Sequence, residues 1–191
     1  MITRIVCDSS CDLTQLDNAD FVSVPLTITA GENDWTDNAD LNVRDMLDTL
    51  SSFRGPSHTA CPGTGLWLNA FEGADEIYVP VITGALSGAY NAAMNARAIY
   101  LESHPNCRIH VFDSLTTGPA LRLIVEKINE LAQKKLPFER ICADVEAYIK
   151  NTRLFFVLRS LHNMAQNGRV SKAVAAAVGV LGIRILGTAS P

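Results

Sequence analysis

The chain is 191 residues long, 48% hydrophobic and 19% charged, somewhat more than one average domain and with enough apolar material for a substantial core. A net charge of −4 and a pI near 5.5 argue against a nucleic-acid binder, which carries a basic face. Five cysteines, an odd number without disulfide-framework or metal-knuckle spacing, point to buried free thiols in a reducing compartment.

No signal peptide is expected, because Met1-Ile2-Thr3-Arg4 runs straight into a first buried strand over residues 3–7. The polar loop Asp8-Ser9-Ser10-Cys11-Asp12 follows at that strand's carboxyl end, where ligands gather in open α/β sheets. Residues 21–24 form a second strand, which 26–29 extend past Pro25, and 31–34 then read as a turn. Residues 42–50 carry Val43, Met46, Leu47 and Leu50 at helical spacing. The stretch 55–62 is expected to be irregular, because Pro56 and Pro62 bracket it. A short helix over 63–71 turns Leu66, Trp67 and Phe71 inward.

Residues 76–101 organise the chain. Glu76-Ile77-Tyr78-Val79-Pro80-Val81-Ile82 is short, apolar and β-branched, as a buried parallel strand should be. An Ala-rich helix without interior Gly or Pro begins at Ala89. The turn between them, Thr83-Gly84-Ala85-Leu86-Ser87-Gly88, puts Ser87 at a helix N-terminus. Ser87 is there either an anion contact, favoured by free amides and the helix dipole, or simply an N-cap. Residues 108–112 form another strand, ending in Asp113-Ser114. A long helix over 118–135 has Leu121, Ile124, Val125, Ile128 and Leu131 on one stripe. Pro137 opens a further helix to about residue 151, with Ile141, Val145, Tyr148 and Ile149 inward.

This alternation implies an α/β fold: a layered N-terminal domain over 1–152 with a mainly parallel sheet. Over 153–191 the rhythm changes to a strand at 153–158, a helix at 160–166, a small-residue helix at 171–180 and a strand at 183–186. A piece of that size cannot bury its own sheet faces, so it is read as the start of a second α/β lobe that is cut short. Its longest apolar run, residues 173–181, is too short to span a membrane, and the expected location is the cytoplasm.

Catalysis finds little support. No glycine-rich run ends in Gly-Lys-Ser/Thr, and Gly63-Thr64-Gly65 lacks the third glycine of a dinucleotide fingerprint, since Leu68 stands there. Ser87 is not in a nucleophile elbow, and His58, His104, His110 and His162 have no spacing that makes one of them its base. Asp8 and Asp12 could hold magnesium, or Asp8 accept a phosphoryl group, but the phosphatase pattern wants a second aspartate where Ser10 stands. The plain reading is an aspartate bonding its own loop amides. No catalytic residue and no metal ligand is assigned. What remains are hydroxyl-bearing loops around Thr59 and Ser87, with Asp8-Ser9-Ser10 and Asp113-Ser114 as companions, better suited to binding an anion than to reacting with it.

Val6-Cys7-Asp8-Ser9-Ser10-Cys11-Asp12-Leu13, Val24-Pro25-Leu26, Thr59-x-x-Pro62, Leu86-Ser87-Gly88-Ala89-Tyr90, Phe112-Asp113-Ser114 and Asn167-Gly168-Arg169-Val170 resemble the DegV family in order and approximate spacing. The resemblance implies a fatty-acid-binding protein of two α/β lobes. It implies no cofactor and no enzymatic activity of its own, only a long-chain fatty acid presented to an ATP-dependent fatty acid kinase partner that phosphorylates its carboxyl group. By resemblance the carboxylate contacts are Thr59 and Ser87, with Gly88, Ala89, Ser9 and Ser10 as neighbours. The chain departs from the family at Thr59-Ala60-Cys61-Pro62, where Thr-Ser-Gln-Pro is common, and at Ser87-Gly88-Ala89, where Ser-Gly-Thr is. Leu154, Phe155, Phe156, Val157, Ala173, Ala176 and Ala177 are candidate tunnel wall or plain core. The rival readings are a small phosphotransferase or hydrolase using Asp8 or Ser87, and a protein-interaction module without a lipid.

Overall fold

The structure, a computed structural model, describes residues 1–158, 160–167, 171 and 184–188. Along the chain the elements are β1 (Thr3–Asp8), β2 (Asp20–Val24), β3 (Thr27–Ala30), β4 (Asn33–Thr36), α1 (Val43–Ser52), β5 (Ser57–Ala60) and α2 (Thr64–Phe71). They continue as β6 (Glu76–Val81), α3 (Ala89–Ser103), β7 (Arg108–Asp113), α4 (Gly118–Gln133), α5 (Phe138–Asn151), β8 (Phe155–Leu158), α6 (His162–Gln166) and β9 (Ile185–Thr188).

The main sheet is parallel throughout, in the order β2-β1-β6-β7. Alternation along its strands sends side chains to two opposite cores. Ile5, Cys7, Tyr78 and Phe112 pack with the apolar stripes of α4 and α5, including Leu121, Ile124, Val125, Ile128, Ile141 and Val145. Val6, Ile77, Val79, Val81, Ile109 and Val111 face α2 and α3. On that side α3 buries Ala89, Ala93, Ala96 and Tyr100, spaced so that small side chains bring the helix close to the sheet. Both faces are thus covered by helices, which is why β6 can be buried at every residue. The layered α/β architecture with a mainly parallel sheet is as expected.

A second sheet was not expected. Residues 26–29 do not prolong β2; the chain leaves the main sheet at Pro25 and enters β3, the centre of an antiparallel sheet ordered β4-β3-β5. The turn read over 31–34 is tighter than that. Gly31 takes it at φ +64°, and Asn33 already pairs with Ala30 in β4. Between Pro56 and Pro62 the chain is regular, because both prolines sit just outside β5, an edge strand, and the extended bias they impose favours a strand. One inward assignment also fails, and the helix expected over 42–50 forms but is mostly exposed. Leu66 is exposed while Trp67 and Phe71 are buried, and on α1 only Met46 is buried, Val43 and Leu47 being 52% and 54% exposed.

After α5 the chain forms β8 and β9, an antiparallel pair with Phe155 opposite Thr188 and Val157 opposite Leu186. Phe155, Val157 and Leu186 share one exposed face, whereas the Phe156 ring on the other face lies against Gly187. From α6, Asn163 Oδ1 accepts the Ser57 amide and hydroxyl at 3.3 and 3.2 Å, and Asn167 Nδ2 donates to the Ser57 carbonyl at 3.1 Å. These asparagines cover the start of the open edge of β5. Most of the small-residue helix expected over 171–180, with Ala173, Ala176 and Ala177, lies outside the described residues, as do Gly168, Arg169 and Val170.

Candidate functional site

Strand order β2-β1-β6-β7 reverses direction of build between β1 and β6, so the crevice at their carboxyl ends is the topological switch point of the sheet. Pro80 shapes it. In a parallel ladder Tyr78, Pro80 and Ile82 all direct their amides toward β1, but proline has no N–H, and pairing between β1 and β6 ends at Tyr78. The next amide, Ile82, donates instead to Asp8 Oδ2 at 2.7 Å. Asp8 Oδ1 accepts the Ser10 amide at 3.1 Å and also the Ser10 hydroxyl. Asp8 is fully buried, and burial raises its pKa against the opposing pull of these hydrogen bonds. Both its oxygens are occupied by the fold, the arrangement of a structural clamp.

Ser9 and Ser10 are engaged as well. Ser9 Oγ accepts the Leu26 amide at 3.1 Å and donates to Asp37 Oδ2 at 2.6 Å, pinning both ends of the β3–β4 hairpin to the end of β1. Ser10 turns inward to Asp8. Neither hydroxyl is directed at an open surface, and both act on the positions of the elements around them.

The loop from β6 to α3 is held from several sides. Thr83 N donates to the Thr116 carbonyl at 3.0 Å, and the Thr83 carbonyl accepts Leu86 N and Ser87 N at 3.0 and 3.2 Å. Gly84 N donates to Asp113 Oδ1 at 3.3 Å. Ser87 Oγ in turn accepts the Ala89 amide at 3.2 Å, a local turn one residue ahead of the N-cap, which is Gly88 and has no side-chain capping bond. The N-cap expected at Ser87 thus falls one residue later, while among the described residues no acceptor takes the Ser87 hydroxyl proton. Beside it lie the first amides of α3, which have no intrahelical partner.

Thr59 stands in β5, opposite Ile28 across the ladder, and is exposed; its hydroxyl bonds no group among the described residues. Two residues on, Cys61 reaches α3. A methyl group placed on Gly88 would lie 3.1 Å from the Cys61 sulfur, with no other atom within 4 Å. The strand bearing Thr59 and the turn bearing Ser87 therefore meet, although no hydrogen bond joins residues 57–62 to 83–90. Cys61 is the exposed exception to the expectation of buried thiols; Cys7, Cys11 and Cys142 are buried, and Cys107 is half-buried. The Cys142 thiol is pushed up to about 12, chiefly by burial. Of the expected neighbours, Gly88 and Ala89 are at the meeting point, and Ala89 is buried under it. The plain reading of Asp8 as bonding its own loop amides holds at Ser10; what sequence reasoning missed is Cys61 itself, the reach of Asp8 to Ile82 and the role of Ser9, with Pro80 in a central strand the available sign that a side chain must stand in for the ladder.

Among the described residues no cluster of His, Cys, Asp and Glu could hold a metal ion, and no helix is long and apolar enough to cross a membrane.

An α/β chain with a helix N-terminus and an edge strand meeting over a sheet's carboxyl end has close counterparts. The family described as an uncharacterised protein of the DegV family matches residues 3–191, and the chain belongs to that family. A DegV domain-containing protein of Streptococcus pneumoniae is 44% identical over 194 residues, which cover all of this chain and 69% of that protein. The Fatty Acid Kinase (Fak) B3 protein of S. pneumoniae, loaded with linoleic acid, superposes with a TM-score of 0.94 at 44% identity, covering 100% of this chain and 69% of its own. A DegV family protein of Eubacterium eligens, loaded with heptadecanoic acid, gives 0.92 at 49% identity, covering 98% and 68%.

Proposed function

We propose that this protein binds a long-chain fatty acid, holds its carboxylate with the hydroxyls of Thr59 and Ser87, and presents it to an ATP-using kinase subunit, taking no part in the chemistry itself. The observation that carries this reading is the approach of Cys61, one residue beyond β5, to Gly88, the cap residue just before α3. The fatty acids held by the S. pneumoniae and E. eligens relatives support the ligand class, and the kinase named for the former supports the partner.

The energetics divide by part of the ligand. Each buried methylene contributes about 0.8 kcal/mol, so a long tail supplies on the order of 10 kcal/mol gross. A charge-assisted hydrogen bond to a carboxylate adds roughly 1.5–3 kcal/mol. The tail sets affinity, while the two hydroxyls and the helix N-terminus fix which end faces out. The exposed apolar residues Phe155, Val157 and Leu186 suit a tail-facing wall better than a solvated surface, in keeping with a division of the chain into a domain over 1–152 and a lipid-enclosing lobe that begins at 153. A cytoplasmic location goes with this reading, as the kinase step uses ATP.

The test is a pair of conservative variants, Thr59→Val and Ser87→Ala, titrated with heptadecanoic acid and assayed for phosphorylation of the bound acid by the partner kinase. Each is expected to weaken binding roughly tenfold or more, the loss of one charge-assisted bond, and to reduce phosphorylation. Unchanged affinity and transfer in both would remove the two hydroxyls from the site.

A further inference from the structure

Gly88 has an ordinary right-handed helical backbone, φ −72° and ψ −3°, so nothing in its conformation calls for glycine. The one neighbour a side chain would meet there is the Cys61 sulfur, at 3.1 Å. Cys61 lies two residues beyond Thr59, and Gly88 directly follows Ser87. Among the described residues no hydrogen bond joins the two hydroxyl-bearing segments, and this close packing of sulfur on a bare Cα is a contact between them. The two sides are otherwise anchored independently. Ser57, at the start of β5, is held by Asn163 and Asn167, while the Ser87 turn is held by Thr83, Thr116 and Asp113.

We propose that Cys61 is a positioning residue for head-group binding: its sulfur, seated on Gly88, sets the gap between the Thr59 and Ser87 hydroxyls and hence the size of the anionic group both can reach. This rests on the assignment of those hydroxyls to the carboxylate. A carboxylate's two oxygens lie close together, so both donors engage it only if the gap is held to hydrogen-bonding reach, about 2.7–3.0 Å from each oxygen. A wider gap leaves one donor idle. Bulk added on either side of the contact spreads the segments, and bulk moved from one side to the other leaves the gap as it was. Cys61 is also the exposed thiol of the five, so a bound head group, lying over the same contact, shields it.

The experiment has two readouts on the intact chain. The first is affinity for heptadecanoic acid in Gly88→Ala, Cys61→Ala and the double variant. Gly88→Ala, which requires the sulfur to give by a few tenths of an ångström, is expected to weaken binding roughly threefold, as for one donor bond lengthened. Cys61→Ala weakens it less, because the loops can close over the vacated space. The double variant, in which the methyl group added on α3 fills the place of the sulfur, binds better than Gly88→Ala alone; this non-additivity is the signature of direct coupling. The second is the rate of alkylation of Cys61 by N-ethylmaleimide, followed by peptide mass mapping. Heptadecanoic acid is expected to slow it in the unmodified protein, and Gly88→Ala to speed it without ligand. Wild-type affinity in Gly88→Ala, a double variant as weak as the product of the singles, or no protection by a fatty acid that does bind overturns the inference. None of these touches the assignment of Thr59 and Ser87, which falls only if Thr59→Val and Ser87→Ala bind normally.

Discussion

Replacing Ser9 with alanine tests whether this serine is a joint between the two sheets or a ligand contact. In the intact protein its oxygen accepts the Leu26 amide at 3.1 Å and its proton goes to Asp37 at 2.6 Å. Alanine leaves the buried Leu26 amide without a partner, a loss of about 1–3 kcal/mol. Asp37 is only half-buried and can recover water, so losing the hydroxyl there adds about 1 kcal/mol or less. The sum, about 1–4 kcal/mol, corresponds to a fall in melting temperature of roughly 2–16 °C for a chain of this size. The assay is thermal unfolding followed by circular dichroism, with fatty-acid titration below the transition. A joint predicts a large loss of stability together with a modest loss of affinity, because the sheet carrying Thr59 hangs less firmly over α3. A melting temperature unchanged within error alongside a large loss of affinity would refute the assignment and return Ser9 to the ligand's surroundings.

Gly31→Ala is expected to cost at least about 1 kcal/mol, measured by urea unfolding, because φ is +64° there and a methyl group would approach the Phe53 ring to 3.1 Å. Truncating Phe71, fully buried and edge-on to Tyr100 at 5.8 Å, to alanine should destabilise by about 3–5 kcal/mol in the same measurement. Glu130, between Lys127 and Lys134, has its carboxyl lowered to about 2 by their hydrogen bonds. Since its folded pKa lies below its unfolded value of 4.5, its contribution is present above pH 4.5 and lost as pH falls toward about 2. Glu130→Gln should therefore lower stability slightly at neutral pH, leave it unchanged near pH 2, and so flatten the acid limb of the stability curve, most visibly at low salt. Arg97 Nε donates at 2.8 Å to the Ile109 carbonyl on the exposed edge of β7, and Arg97→Met should raise the tendency to associate, read by light scattering.

The parts legible in the sequence were those whose signal is local. The stripe Leu121, Ile124, Val125, Ile128 and Leu131 identifies α4 and its buried face without any neighbour being known, and the run around Ile77 and Val79 likewise identifies a central strand. Signals failed where the deciding partner is remote. Val43 and Leu47 repeat like a core face, yet spacing cannot say whether anything covers that face. Asn33-Asp34-Trp35-Thr36 looks like loop because its composition is polar, and it is a strand because β3 lies beside it. Thr59 and Ser87 could be singled out by residue type and by resemblance, but the meeting of Cys61 with Gly88, across 27 positions of chain, exists only in three dimensions.

The Asp8 clamp has a consequence for where any acidic guest can sit. In most open parallel sheets the notch where strand order reverses is a vacancy that a ligand fills. Here a proline breaks the seam and the protein plugs the hole with its own carboxyl group, leaving a buried acid under the doorway. On the proposed reading, an anionic head group avoids that notch and sits to its side, by the N-terminus of α3. A single ring in a strand thereby leaves the notch filled by the protein's own side chain.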